Sequence, residues 1–290
     1  MTDIRLLVDA RNRLGEGPVW DVAEQALYWV DIEGCRLFRR DHATGLVRDW
    51  QFPERIGSYA IRRSGGLVCA FASGFAFFDP ASGAIEWIAR PEAMIARNRF
   101  NDGKCDRAGR FWAGTMDDRL KEHTGSLYRL DPDRSVHRMD GAIGVPNSLA
   151  WSPDDRVFYF ADTLDGLIYA YDYDRATGAI ANKRAFSAAK DVAGVPDGST
   201  IDAEGYLWNA RWDGWCVVRY APDGRVDRVV ELPVQKPTSC AFGGADLATL
   251  YVTSAVWDLS GSALARQPWA GGVLAVDAGV RGLPEPRFAG

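Results

Sequence analysis

The stretch GVPNSLAWSPDDRVFYFADTLDGLIYAYDYDRATG, residues 144–178, contains one unit of a pattern that recurs along this chain. Short runs rich in Tyr, Phe, Trp, Val and Leu alternate with turns made of Asp, Gly and Pro. Such alternation is typical of short β-strands joined by tight turns. A second unit opens with GVPDG at 194–198 and continues as IDAEGYLWNARWDGWCVVRYAPDG at 201–224. Together the two stretches predict a repeated, strand-rich unit.

Four further copies of the strand-and-turn pattern occupy 19–45, 60–83, 105–133 and 241–277. The six units begin near Gly17, Ser58, Asn101, Asn147, Asp197 and Thr238. Their spacing of roughly 40–50 residues is the period of four-stranded propeller blades. The sequence therefore predicts an all-β, six-bladed β-propeller of four-stranded antiparallel blades around a central channel, with residues 1–290 as a single domain. A β-sandwich would not explain six equivalent units.

The N-terminal run IRLLVD, residues 4–9, is expected to add an outer strand to the last blade. Such a strand would close the ring of blades and remove an exposed sheet edge. The sequence contains no convincing long amphipathic helix.

The composition limits the classes of partner. The chain has 290 residues, of which 47% are hydrophobic and 25% charged, and its formal net charge is −5. This balance predicts no surface for nucleic acid or anionic membrane. The first residues, MTDIRLLVDARNRLGEG, do not have the apolar core of a secretory signal. The five cysteines include no C-x-x-C pair and are expected to be reduced. We therefore expect a cytoplasmic monomer.

Oxygen-bearing side chains recur at the start of the predicted inner strands, where they would face the mouth of the channel. They are Glu16, Asn101, Asp102, Asn147 and Asp197, with the weaker Ser58 and Thr238 in the two remaining units. Converging carboxylates repel one another unless a cation lies between them. Carboxylate and amide oxygens without Cys or His suit a hard divalent cation. Two alternatives remain at this point, ordinary turn chemistry and solvated polar residues lining the channel.

Five ordered motifs carry a resemblance to a known family. LGEGPVW, RFNDGKCDRAGRFWAGTM, GVPNSLAWSPD, GVPDGSTIDAEGYLW and KPTSCAFGGADLATLYVTSA closely resemble the regucalcin/gluconolactonase (senescence marker protein) family, from about Leu14 to the sixth unit. The resemblance implies a six-bladed propeller that binds one divalent metal ion in its channel and hydrolyses sugar lactones.

The resemblance also implies roles for individual residues. It implies Glu16, Asn147 and Asp197 as metal ligands. It implies Arg99 and Asn101 as substrate-binding residues, whereas without it Arg99 would be read as a surface cation. Animal members carry a substrate-contacting Glu just before the Gly-x-Leu-Tyr motif, where this chain has Lys121 beside Glu122. The substrate preference of animal members is therefore not carried over.

A lactone is a cyclic ester, and a cation beside its carbonyl oxygen stabilises the negative charge that develops during hydrolysis. Asp197 is the candidate catalytic base, with a metal-bound hydroxide as the alternative. Asp102 is a weaker candidate, which we interpret as the first residue of an Asp-Gly turn. The ion would be Ca²⁺, Fe²⁺, Mn²⁺ or Zn²⁺, and the substrate an aldonolactone such as gluconolactone or xylonolactone.

Other chemistry finds less support in the sequence. There is no G-x-S-x-G motif for a nucleophilic serine and no G-x-G-x-x-G motif for a dinucleotide. Most tryptophans are expected in the blade core, while Trp212 and Trp215 are candidates for the mouth of the channel. The alternative functions are a phosphotriesterase-like hydrolase and a non-catalytic propeller that binds calcium or a protein.

Overall fold

A computed structural model describes residues 3–188 and 192–290, and the strands of that part form six four-stranded sheets. Every pairing within these sheets is antiparallel, and the strands are numbered here in chain order. The architecture is the predicted six-bladed β-propeller.

Blades 1 to 3 each use four consecutive strands, from the innermost to the outermost. Blade 1 contains β2 (Gly15–Asp21), β3 (Ala26–Asp31), β4 (Arg36–Asp41) and β5 (Val47–Gln51), after β1 (Ile4–Val8). Blade 2 contains β6 (Ile56–Ile61), β7 (Leu67–Phe71), β8 (Gly74–Phe78) and β9 (Ile85–Ala89). Blade 3 contains β10 (Asn98–Cys105), β11 (Phe111–Asp117), β12 (Gly125–Leu130) and β13 (Val136–Ile143).

Blades 4 and 5 follow the same order, and blade 6 takes its outer strand from the other end of the chain. Blade 4 contains β14 (Pro146–Trp151), β15 (Val157–Asp162), β16 (Leu167–Asp174) and β17 (Ala179–Ala188). Blade 5 contains β18 (Val195–Ile201), β19 (Leu207–Trp212), β20 (Cys216–Tyr220) and β21 (Val226–Glu231). Blade 6 contains β22 (Pro237–Gly243), β23 (Thr249–Ser254), β24 (Val273–Asp277) and β1.

The ring closes through the pairing of β1 with β24. Ile4 pairs with Val276 and Leu6 with Leu274, in antiparallel register. The prediction that residues 4–9 supply the outer strand of the last blade is confirmed for Ile4–Val8. The inner strands β2, β6, β10, β14, β18 and β22 contact one another in sequence and β22 returns to β2, so that they surround the channel.

The hydrophobic core is divided among the blade interfaces. Six clusters of buried side chains are present in the described residues, and each combines residues from two neighbouring blades. The predicted core tryptophans are buried in these interfaces. They are Trp20, Trp29, Trp112 and Trp208. All five cysteines are free, as the sequence predicts, and four of them are buried.

The propeller has two faces. We call the end at which the inner strands begin the upper face, and the opposite end, with the turns between first and second strands, the lower face. The short helix α1 (Gly261–Arg266) lies in the upper-face connection between β23 and β24. Within residues 3–188 and 192–290, no helix is long and apolar enough to cross a membrane.

Residues 281–290, called here the C-terminal segment, cross the lower face. The amide of Gly282 donates to the carbonyl of Leu247 in blade 6, and the amide of Phe288 donates to the carbonyl of Ile61 in blade 2 (both 2.9 Å). Phe288 is fully buried in the interface between blades 2 and 3. The segment therefore passes across the channel and closes its lower end.

Candidate active site at the channel mouth

All six inner strands carry a β-bulge near the end that faces the mouth. In four of them the register shifts at the residues that the sequence selected: between Glu16 and Val19 in β2, Phe100 and Gly103 in β10, Asn147 and Ala150 in β14, and Pro196 and Ser199 in β18. The strands β6 and β22 shift at the corresponding place. A bulge breaks the alternation of side chains and re-aims them. The polar residues that recur at one position of the sequence repeat therefore lie at a β-bulge that also recurs from blade to blade.

Glu16 and Asp197 bring two carboxyl groups together from blades 1 and 5. Each residue is only 6% exposed, and the two side chains are hydrogen-bonded to each other. Burial, reinforced by the Asp102 carboxylate, raises the pKa of Glu16 to about 8. Burial and the carboxylates of Glu16 and Asp102 raise the pKa of Asp197 well above its usual range. A proton shared by the pair relieves this repulsion, and a cation would relieve it equally well.

Asn147 adds an amide oxygen beside the carboxyl pair. Its Nδ2 donates to the hydroxyl of Thr163 (2.7 Å), and that hydroxyl donates to the carbonyl of Pro196 (2.7 Å). Its Oδ1 accepts from Nδ2 of Asn101 (3.2 Å). Because an amide oxygen has two lone pairs, the Oδ1 of Asn147 keeps capacity for a further partner.

Arg99 is buried rather than a surface cation. It is 8% exposed, its Nη1 donates to Oδ1 of Asn101 (2.8 Å) and its Nε to Oδ1 of Asp118 (2.8 Å). Both terminal nitrogens of Arg55 donate hydrogen bonds to the same Asp118 carboxylate (2.9 and 2.7 Å). Nη2 of Arg99 has no hydrogen bond within the described residues. The sequence identified Arg99 and Asn101 but gave no signal for Arg55 and Asp118.

Ser148 is a third residue that the sequence did not identify. It has a φ of 62°, in the left-handed region that is unusual for a residue other than glycine. Its buried hydroxyl donates to the carbonyl of Asp197, contacts the hydroxyl of Ser199 (2.8 Å) and accepts from Nδ2 of Asn209 (2.9 Å). These bonds join blades 4 and 5 directly behind Asn147 and Asp197. The only sequence signal was the position of Ser148 after the Pro-Asn pair.

The interpretation of Asp102 as the start of a turn is wrong. Asp102 lies inside β10, at its bulge, and its Oδ1 accepts from the amide of Gly103 (2.8 Å). Burial raises the pKa of Asp102 to about 6, while the Lys104 ammonium acts in the opposite direction. Asp102 thus adds a third carboxyl group to the channel. The hydroxyl of Thr238, by contrast, is used within the fold, where it bonds the carbonyl of Gly15.

The upper-face loops carry the remaining candidates. Glu122 is in an exposed loop and binds Arg97 (2.6 Å) and Arg119 (3.3 Å). Trp215 is 41% exposed on the turn between β19 and β20. Trp212 is partly buried, with the Lys236 ammonium 4.4 Å from the centre of its ring.

A second group of potential metal ligands lies between blades 3 and 4. His123, Asp162 and Asp165 bring ligand atoms within 4.8 Å of one another. The Asp162 carboxylate already accepts from three backbone amides, those of Gly144, Val145 and Leu164. Asp31 binds backbone amides at the corresponding place in blade 1. Asp162 therefore has the role of a structural residue, and His123 and Asp165 form an exposed pair.

The chain is similar to proteins of one family over most of its length. The family described as "SMP-30/Gluconolactonase/LRE-like region" matches residues 14–256. The chain belongs to this family. Regucalcin from Gallus gallus is 42% identical over 97% of the chain and 96% of its own length. The 6-deoxy-6-sulfogluconolactonase of Pseudomonas putida is 40% identical over 99% of both proteins.

Solved structures of the SMP-30/gluconolactonase family include a close match in fold. The calcium-binding protein regucalcin from Agrobacterium tumefaciens superposes with a TM-score of 0.95 and 31% identity, covering 99% of this chain and 97% of that one. The relatives thus carry two kinds of name, one for calcium binding and one for hydrolysis of a sugar lactone.

Proposed function

We propose that this member of the family hydrolyses an aldonolactone, such as gluconolactone or xylonolactone, to the free aldonic acid with the help of one divalent metal ion. The observation that carries the proposal is the buried pair of Glu16 and Asp197 beside the oxygen of Asn147. The lactonase name of the Pseudomonas putida relative supports the reaction class. The closed ring and the free cysteines are compatible with a cytoplasmic monomer.

The donor set fits a divalent cation. Glu16, Asn147 and Asp197 would hold the ion through oxygen atoms only, which suits Ca²⁺ or Mn²⁺ and is also accepted by Fe²⁺ and Zn²⁺. When bound, such an ion supplies Lewis-acid polarisation of a carbonyl oxygen and makes a nearby water more acidic. Protons held by Glu16 and Asp197 would leave on binding, because the ligands are carboxylates.

The remaining residues have roles that follow from their hydrogen bonds. Asp197 would accept a proton from the attacking water at one of its carboxylate oxygens. Nη2 of Arg99 and the second lone pair on Oδ1 of Asn101 bind hydroxyl groups of the sugar. Because Asp118 and Asn101 fix the Arg99 guanidinium in place, little side-chain entropy is lost when the substrate binds.

The test is hydrolysis of gluconolactone and xylonolactone in a pH-stat, with chelator-stripped protein and each divalent ion added back. We expect activity to return with at least one ion. Asp197→Asn, which keeps the shape but removes the base and one ligand charge, is expected to lower the rate at least ~100-fold. Asp165→Asn makes the same chemical change in the other acidic cluster and is expected to leave the rate unchanged.

The outcomes separate the candidate functions. Stripped protein as active as the metal-loaded protein would contradict the metal-dependent reaction. Binding of Ca²⁺ without hydrolysis of any lactone would favour a calcium-binding propeller, a reading supported by the name of the Agrobacterium tumefaciens relative. Faster turnover of an aryl organophosphate than of either lactone would favour the phosphotriesterase-like alternative.

A further inference from the structure

Lys104 occupies the channel below the carboxyl groups. It lies in β10, two residues after Asp102, and its side chain is only 17% exposed. Its ammonium donates to the backbone carbonyl of Ser199 (3.0 Å) and to Oε1 of Glu285 (3.2 Å). Glu285, whose side chain is 12% exposed, belongs to the C-terminal segment. A residue near the end of the chain thus forms an ion pair inside the channel.

The same enclosed space connects this ion pair to Asp102. A cavity of about 20 Å³ is lined by Asp102, Lys104 and Glu285 together with small and apolar residues. Of the described residues that line this cavity, Lys104 is the one cation. Charges that share a dry, enclosed space interact more strongly than charges in water. The charge of Lys104 therefore acts on Asp102 as well as on Glu285, because all three line this cavity.

The electrostatic contacts form a continuous series along the channel. The Lys104 ammonium lowers the pKa of Asp102 against the larger effect of burial. Asp102 in turn lies at the bulge of β10, at the level of the bulges that carry Glu16 in β2 and Asp197 in β18. Glu285 stands at the lower end of the series, where it balances Lys104.

We propose that Lys104 and Glu285 are positioning residues that set how strongly the channel carboxylates attract a divalent cation. The proposal rests on the metal site of the proposed function and extends it to the lower end of the channel. The Lys104 charge opposes the cation, and Glu285 offsets that charge while it holds the ammonium beside Ser199.

The charges of Lys104 and Glu285 have opposite effects on the affinity for a divalent cation, and this difference can be measured. Loss of the Lys104 charge makes the channel more negative and strengthens cation binding. Loss of the Glu285 charge leaves Lys104 unbalanced and weakens cation binding. A purely structural role would weaken binding in both cases, since removal of either partner leaves the other buried and unpaired.

The experiment is calorimetric titration of MnCl₂ into chelator-stripped protein at fixed pH and salt. Lys104→Met is expected to lower the Mn²⁺ dissociation constant roughly three- to tenfold, and Glu285→Gln to raise it by a similar factor. The double variant is expected to bind close to the unchanged protein, because removal of both charges leaves the net charge of the pair at zero. Glu204→Gln, on the same lower face but paired with Arg219, is the matched control and is expected to bind like the unchanged protein.

Weaker binding in both single variants, or no change in either, would overturn the proposal while the metal site itself stands. No Mn²⁺ or Ca²⁺ binding by the unchanged protein would overturn both the metal site and this extension of it. Each variant is first checked by its thermal unfolding. If Lys104→Met does not fold, Lys104→Gln carries the same test.

Discussion

At the scale of single residues, hydrogen bonds hold the side chains of the site in fixed conformations. Asn147 has its amide nitrogen fixed by Thr163, and the oxygen therefore has one orientation. Arg99 is fixed by Asp118, which is fixed by Arg55. Pre-organisation of this kind spares the binding step the cost of ordering long side chains. The Arg55–Asp118–Arg99 series is therefore expected to govern substrate affinity rather than the chemical step.

The first prediction concerns Asp118. Asp118→Asn removes the charge that orients Arg99 and is expected to raise the KM for an aldonolactone roughly tenfold, because a charge-assisted hydrogen bond is lost. The affinity for Mn²⁺ is expected to stay unchanged. Glu122→Gln alters an exposed carboxylate of the same loop and serves as the control in the same kinetic assay. A fall in kcat with constant KM would contradict a role for Asp118 in substrate binding.

These residue-level partners also mark the limit of what the sequence could predict. Glu16, Asn147 and Asp197 recur at one phase of the repeat, so a local pattern reveals them. Arg55 lies 63 residues from Asp118, and Lys104 lies 181 residues from Glu285. Neither pair occupies equivalent positions in the repeat. Such partners meet only because the blades are arranged in a ring, and a local sequence pattern does not reveal that contact.

At the scale of elements, blades 3 and 5 share one kind of hairpin. In blades 3 and 5 an aspartate at the end of the inner strand accepts from an indole six residues later. The distances are 3.0 Å from Trp112 to Asp106 and 2.9 Å from Trp208 to Asp202. A glycine with a φ of 88° makes the turn in both, at Gly109 and Gly205. The D-x-x-G-x-x-W pattern could thus be read directly from the sequence, because all of its contacts are local.

The second prediction tests this hairpin. Asp202→Ala leaves the indole of Trp208 unpaired and removes a carboxylate 2.7 Å from the buried Arg219 guanidinium. The free energy of unfolding is expected to fall by about 3–5 kcal/mol. Equilibrium denaturation in urea measures this loss in the free energy of unfolding. Asp223→Ala, which removes an exposed carboxylate of the same blade, is expected to change little, and equal losses in the two variants would contradict the role of the hairpin.

At the scale of the whole molecule, the ring is held together by six similar interfaces and one special pairing. Each interface buries residues of two blades, so no blade is complete on its own. Blade 6 alone combines strands from both ends of the chain. The number of blades and this closure were predictable from the repeat and from the apolar run at 4–9. The passage of the C-terminal segment across the lower face was not, since the segment has no counterpart in other units.

The third prediction concerns closure of the ring. Leu6 lies in β1 and packs against the cluster between blades 5 and 6. Leu6→Asp is expected to reduce the free energy of unfolding by about 2 kcal/mol, because a charge replaces a partly buried apolar group. Leu46→Asp, at an exposed turn of blade 1, is the matched control. Equal melting temperatures for the two variants would show that β1 contributes little to closure.

The pairing of β1 with β24 also has a consequence in time. Ile4 is synthesised long before its partner Val276, and translation at about 5–20 residues per second separates the two by tens of seconds. Throughout that interval β1 has been made but its partner β24 has not. The ring can therefore close only after β24 has been made, so closure joins two segments of very different age.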